Sequence, residues 1–120
     1  MKDKNKVKRN NFIKRQRRSR AKIIGTASKP RVSVFRSLLH MSVQAIDDIA
    51  QKTLVAASDK SIKAKAKTTK TELATLLGEE FGAKLKTKKI ESIIFDKGAY
   101  KYHDRVKALA NGIRKVGINF

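Results

Sequence analysis

The stretch that most restricts how this chain can fold is its last quarter, residues 93–120. It opens on an apolar run, Ile93-Ile94-Phe95, and passes through Asp96-Lys97-Gly98-Ala99-Tyr100-Lys101-Tyr102-His103. Beyond that, Val106, Leu109, Ala110, Ile113 and Val116 recur at three- and four-residue intervals. That spacing is a single apolar stripe of 3.6-residue period and predicts a helix. Gly117 falls where such a helix ends in a left-handed cap. The segment therefore reads as strand, loop, helix, with the loop at the strand's C-terminal end. Lys97, Lys101 and Arg105 bring full positive charges beside a helix N-terminus, whose free N–H groups already favour phosphate. Tyr100 and Tyr102 offer flat faces on which a base or ribose can stack. The same residues also suit plain scaffolding: half-buried tyrosines with wet hydroxyls, and His103 or Asp104 as the helix cap.

Upstream, three short runs carry strand signals. In 31–36 (Arg31-Val32-Ser33-Val34-Phe35-Arg36), Val32 and Val34 share a face, and in 41–46 so do Met41, Val43 and Ala45. The run 53–58 is more uniformly apolar and suits an interior strand. The connections at 37–40 and 47–52 are hairpin-sized, so the three form an antiparallel meander. Thr69-Lys70-Thr71-Glu72 has the form of a capping box. Leu73, Leu76, Leu77, Phe81 and Leu85 then make the stripe of a helix, slightly weakened by Gly78 and Gly82. Residues 90–95 form a last strand, reached by this helical crossover and so parallel to its neighbour. The expected fold is α/β of the α+β type. A four-stranded mixed sheet, a three-strand antiparallel meander plus one strand after a helical crossover, carries two packed helices and a basic N-terminal arm.

That arm is residues 1–22. It holds eleven basic residues against the single acid Asp3, a charge of +10 out of the chain's +20. Lys8, Arg9, Lys14, Arg15, Arg17, Arg18, Arg20 and Lys22 are its candidate contacts. Cations on every side should keep it frayed until phosphates neutralise it, although a solvated tail or a localisation signal has the same composition. Lys63, Lys65 and Lys67 mark a second basic segment, in the loop before the capping box. The chain thus divides into a basic RNA-binding arm, 1–22, and a globular α/β domain, 23–120.

An excess of thirty Lys and Arg over ten Asp and Glu draws a chain to polyanions. No run approaches a membrane span, and the N-terminus lacks the apolar core of a secretory signal. The absence of cysteine excludes disulfides and thiolate metal sites. Asp47 and Asp48 read as a turn signal, and no further carboxylate is near enough in sequence to suggest a metal centre, though Asp96 could approach in space. His40 at the first hairpin reads equally as a turn residue. The chain is expected to be no enzyme, with no cofactor, no small-molecule substrate and no membrane. Three functions compete: a structural RNA-binding protein, a general architectural nucleic-acid-binding protein, and a nuclease.

At this point the residues resemble a known family, the large-subunit ribosomal protein called L eighteen, over nearly the whole length. The blocks that carry the resemblance are Gly25-Thr26, then Pro30 to Ser37 with His40, then Phe95 to Ala110, and the ending Gly117-Ile118-Asn119-Phe120. The resemblance implies a structural constituent of the large ribosomal subunit, cytoplasmic and in the ribosome. It implies binding to 5S rRNA, attachment of that RNA to 23S rRNA in the central protuberance, and the neighbourhood of ribosomal protein L five. It adds Thr26, Arg31, Arg36, Ser37, His40 and Gly98 to the candidate RNA contacts. The family usually has asparagine where this chain has Leu38, and glycine where it has Ala99 and Asp104. Asp104 sets a carboxylate at the helix start. The reading it favours is Asp104 as the cap, with Tyr100, Lys101, Tyr102, His103 and Arg105 meeting the RNA.

Overall fold

The computed structural model describes residues 4–21, 23–38, 40–62, 68–102 and 104–120. In chain order its elements are α1 (Lys4–Arg20), β1 (Arg31–Arg36), β2 (Met41–Asp47), β3 (Lys52–Ser58), a 3-10 turn (Asp59–Ser61), α2 (Lys70–Thr87), β4 (Ile94–Asp96) and α3 (Asp104–Lys115). The sheet order is β3-β2-β1-β4. β1 pairs antiparallel with β2 and β2 antiparallel with β3, while β4 runs parallel to β1. This is the expected mixed sheet.

Alternation decides which face is buried. Val32 and Val34 of β1, Met41, Val43 and Ala45 of β2, and Val55 and Ala57 of β3 point to one side. α2 and α3 cover that side. Leu77, Phe81 and Leu85 of α2 meet Val106, Leu109 and Ile113 of α3 in the same core, all of them fully buried. The capping box starts α2 as expected: Thr69 Oγ1 accepts from Glu72 N at 3.2 Å, and Glu72 Oε2 accepts from Thr69 N at 3.4 Å. Leu76, read as part of the stripe, is instead 38% exposed, at the stripe's edge.

The glycines of α2 do more than weaken it. A Cβ on Gly78 would sit 2.3 Å from the Leu109 carbonyl oxygen, and one on Gly112 would sit 2.4 Å from that of Thr75. The two helices touch backbone to backbone here, which only residues without a side chain permit. At the end of α3, Gly117 has φ +101 and donates its N–H to the Arg114 carbonyl at 2.9 Å, as a left-handed helix end requires.

Three expectations need correction. The run 53–58 is an edge strand, not an interior one. Its uniform apolar look comes from small alanines, and Ala56 lies exposed, its carbonyl accepting from Lys84 Nζ at 3.4 Å. The last strand is shorter than 90–95. Ile90 N still closes the end of α2 on Leu85 O. Residues 91–93 pair with the C-terminal segment, through Ile93 N to Asn119 O at 3.1 Å and Asn119 N to Glu91 O at 2.9 Å. Only Ile94–Asp96 is left for β1. The arm, expected to be frayed, is helical from Lys4 to Arg20. No proline or glycine interrupts it, and Lys, Arg and Gln are good helix formers.

Candidate nucleic-acid interface

The connector into β1 is built on a buried charge cluster. Gly25 and Asp48 hold each other: Gly25 N donates to Asp48 Oδ2 at 2.7 Å, and Asp48 N donates to the Gly25 carbonyl at 2.9 Å. Arg31, 4% exposed, donates from Nε and Nη2 to the two Asp48 oxygens at 3.0 and 3.1 Å, and from Nη1 to Asp96 Oδ2 at 3.3 Å. The Arg31 hydrogen bond holds the Asp48 carboxyl below its ordinary range, and its own pKa is raised by the same bond. Arg31 is thus buried and committed to two carboxylates inside the protein. Asp96 does approach Asp48 in space, but Arg31 stands between them. Asp47 closes its turn by accepting from Ile49 N and Ala50 N. Among the described residues no group of three or more metal-ligating side chains forms.

At the opposite end of β1 the sequence-predicted loop and the first hairpin come together. The Tyr100 hydroxyl lies 3.1 Å from both the amide nitrogen and the carbonyl oxygen of Arg36. Arg105 Nη1 donates to the Ser37 carbonyl at 2.9 Å. Ser37 Oγ accepts from His40 N and donates to His40 O, so it closes the hairpin. His40 Nδ1 lies 3.1 Å from Asp59 Oδ1, while Asp59 Oδ2 accepts from Met41 N at 2.8 Å. Arg36, Ser37 and His40 remain exposed, and Leu38 is 86% exposed at the tip.

Within the closing loop the expected contacts separate. Gly98 is buried, with φ +64, and its N–H goes to Asp96 Oδ1 at 2.8 Å, so it shapes the loop. The left-handed positions are Gly98 and Asp104 (φ 46), so Ala99 imposes no such demand. Tyr100 is half-buried against the core. Lys97 and Lys101 are exposed, and Lys97 Nζ reaches the Tyr100 carbonyl. Tyr102 is 41% exposed, its ring edge-on to Phe95 and its hydroxyl accepting from Arg114 Nη1 at 3.0 Å. Thr26 Oγ1 accepts from Lys29 N at 3.1 Å within its own turn, at the surface.

On α1, Lys8, Arg9, Lys14, Arg15, Arg17, Arg18 and Arg20 are all exposed. Arg20 also sits 3.7 Å from Asp48. Lys22, Lys63, Lys65, Lys67 and His103 lie outside the described residues. Three participants were missed by sequence reasoning. Phe12 packs edge-on against Tyr100 with centroids 5.7 Å apart, tying the arm to the loop. It passed for a stray apolar residue in a cationic run. Lys70 reaches back to the Leu38 carbonyl; the sequence shows it only as the last cation of the basic segment before α2. Arg114 lies 4.3 Å over the Phe120 ring, and no local pattern marks it.

An exposed cationic helix and a cationic hairpin end on an α+β fold are the surface of a protein suited to meeting polyanions. The comparisons sharpen that class. Residues 6–120 match the model of the family described as ribosomal L18 of archaea, bacteria, mitochondria and chloroplasts. The protein called "Large ribosomal subunit protein uL18" in Staphylococcus haemolyticus is 48% identical, covering 98% of this chain and 96% of its own. Its namesake in Staphylococcus epidermidis gives the same figures, and that of Staphylococcus aureus is 47% identical over the same shares. The chain belongs to this ribosomal protein family. It is a structural constituent of the large ribosomal subunit, working in the ribosome with rRNA, and not an enzyme.

Proposed function

We propose that the chain binds 5S rRNA and helps attach it to 23S rRNA in the central protuberance, beside ribosomal protein L five. In this reading the arm 1–22 tracks RNA phosphates while the domain 23–120 presents the hairpin and the closing loop. The observation that carries the reading is the Phe12–Tyr100 contact, which joins the cationic α1 to the tyrosine loop and lets the two act as one surface. On it Arg36, Lys101, Arg105 and the α1 cations supply phosphate contacts. Tyr102, the more exposed tyrosine, supplies the stacking face. An RNA with exposed loop bases satisfies both halves of that surface, and duplex DNA only the cationic half.

The test is competition. Labelled 5S rRNA bound to the protein should be displaced by unlabelled 5S rRNA at far lower concentration than by tRNA or duplex DNA of similar length. Equal displacement by duplex DNA would instead identify a general architectural binder. Pull-down of assembled RNA with and without ribosomal protein L five then reports whether the two proteins occupy the same complex.

A further inference from the structure

We propose that the cleft between the first hairpin and the starts of α2 and α3 seats one RNA backbone phosphate, gripped by the edge of the Arg105 guanidinium. The inference rests on the RNA-binding reading above and locates one contact within it.

The cleft encloses about 530 Å³ and is lined by Arg36, Ser37, Leu38, Lys70, Tyr100 and Arg105. Three of the six are cations and none is acidic. They come from three separate elements: the end of β1, the first turn of α2 and the first turn of α3. Only the folded chain brings them together.

Arg105 is the decisive member. Its Nη1 is committed to the Ser37 carbonyl. Its Nε is enclosed and has no acceptor among the described residues. A guanidinium is planar, and Nε with Nη2 forms one edge of two near-parallel N–H bonds, the fork that matches two oxygens of a phosphate. Nη1 lies off that edge. The hydrogen bond to Ser37 therefore fixes the plane of the group and leaves the enclosed Nε without an acceptor among the described residues. Enclosed donors are almost always paired in folded proteins, and leaving one without an acceptor opposes folding. An acceptor that arrives with the ligand resolves this.

The surroundings hold the fork still. Lys70 Nζ donates to the Leu38 carbonyl, and its remaining donors stay beside the cleft. Tyr100 holds the backbone of Arg36. The occupant is an RNA phosphate because the arm leads to it. Tyr100 lines the cleft and is also the residue that Phe12 of α1 packs against, so a sugar-phosphate backbone lying along α1 arrives at this seat.

Ethylation interference on 5S rRNA tests the proposal, with full-length wild type, Arg105→Gln, Arg105→Lys and Lys70→Gln. Ethylation removes the charge of one phosphate at a time. In the wild type a set of positions should block binding. In Arg105→Gln one of these should lose its effect while the others keep theirs, and Lys70→Gln should weaken the same position. Arg105→Gln should also lower the salt slope of binding by about one. Arg105→Lys keeps the charge but loses the fork, so affinity should fall about tenfold at nearly the wild-type slope. Melting curves on each variant separate these effects from loosening of the hairpin, and Lys70→Gln leaves the Arg105–Ser37 bond in place. Interference patterns identical across all four proteins overturn the phosphate seat and leave RNA binding standing. A wild type that shows no interference anywhere overturns both.

Discussion

The Tyr100 hydroxyl occupies the place of a missing strand residue beside Arg36. The Pro30 carbonyl accepts from Ile94 N on the β4 side of β1. The two-residue period of a strand puts the N–H and C=O of Arg36 on that same side. β4 is too short to reach them, since its pairing with β1 ends at Ser33 and Asp96. The hydroxyl, which both accepts and donates, satisfies the pair at 3.1 Å each.

Tyr100→Phe should therefore destabilise the fold by about 0.5–1.5 kcal/mol, since water can partly replace the hydroxyl at this exposed edge. Tyr100→Ala should cost roughly 3 kcal/mol through lost packing. Tyr102→Ala should leave stability near wild type and weaken 5S rRNA binding by about 1–3 kcal/mol. Denaturation and RNA titration on the same three variants check the division of labour. A Tyr100→Phe protein as stable as wild type would refute the hydroxyl's structural role.

The Arg31 cluster predicts a specific acid sensitivity. Asp48 has a folded-state pKa below its unfolded one, chiefly through its hydrogen bond from Arg31. The unfolded chain thus takes up that proton first, and the stability the pair provides is present above the carboxylate range and lost as pH falls through it. Melting temperature should decline between about pH 5 and pH 3, and the decline should be shallower in Asp48→Asn. Arg31→Ala, which strands two carboxylates, should cost roughly 3–5 kcal/mol at neutral pH. A parallel decline in Asp48→Asn would show that other groups govern acid unfolding.

Gly78→Ala and Gly112→Ala should each destabilise the fold by about 1–3 kcal/mol, because the added methyl meets backbone and not a movable side chain. An alanine at an exposed helical position such as Lys107→Ala provides the control. If the glycine variants melt at the control's temperature, the helices can part at no cost and the close contact is incidental.

Removing residues 1–22 should leave the domain folded, with its melting temperature held or raised by relief of self-repulsion. Binding should weaken by several kcal/mol. For the full chain, eight to ten phosphate contacts imply a log–log salt slope of roughly −7 to −9. Phe12→Ala, which cuts the arm's contact with Tyr100 without removing charge, should weaken binding while leaving the slope unchanged. A slope near −2 for the full chain would rule out phosphate contacts as the main source of affinity.

The sheet and its two covering helices were legible because each carries its own period: two for Val32 and Val34, near 3.6 for Val106 to Val116. The capping box at Thr69 was legible because it is a local reciprocal bond. What escaped the sequence depends on distant partners. Arg31 looks like any strand arginine until Asp48 and Asp96, 17 and 65 residues away, are brought to it. Gly78 looks like a weak point of α2 until Gly112 lies against it. β3 looks interior because alanine is apolar wherever it sits, and pairing order is not written in one strand. The closing loop was found, but its division into scaffold (Gly98, Tyr100) and exposed face (Lys101, Tyr102) was set by a hydrogen bond to Arg36 across 64 residues.

The short β4 has a consequence for the life of the chain before it meets RNA. A sheet margin with free N–H and C=O groups recruits strands from other molecules. Along this margin Tyr100 closes Arg36, and the segment at Asn119 closes Glu91 and Ile93. A copy newly released from synthesis thus offers fewer free groups here for intermolecular pairing, and its surplus charge repels its siblings. One phenol and the segment at Asn119 thus blunt a margin that a three-residue strand leaves short.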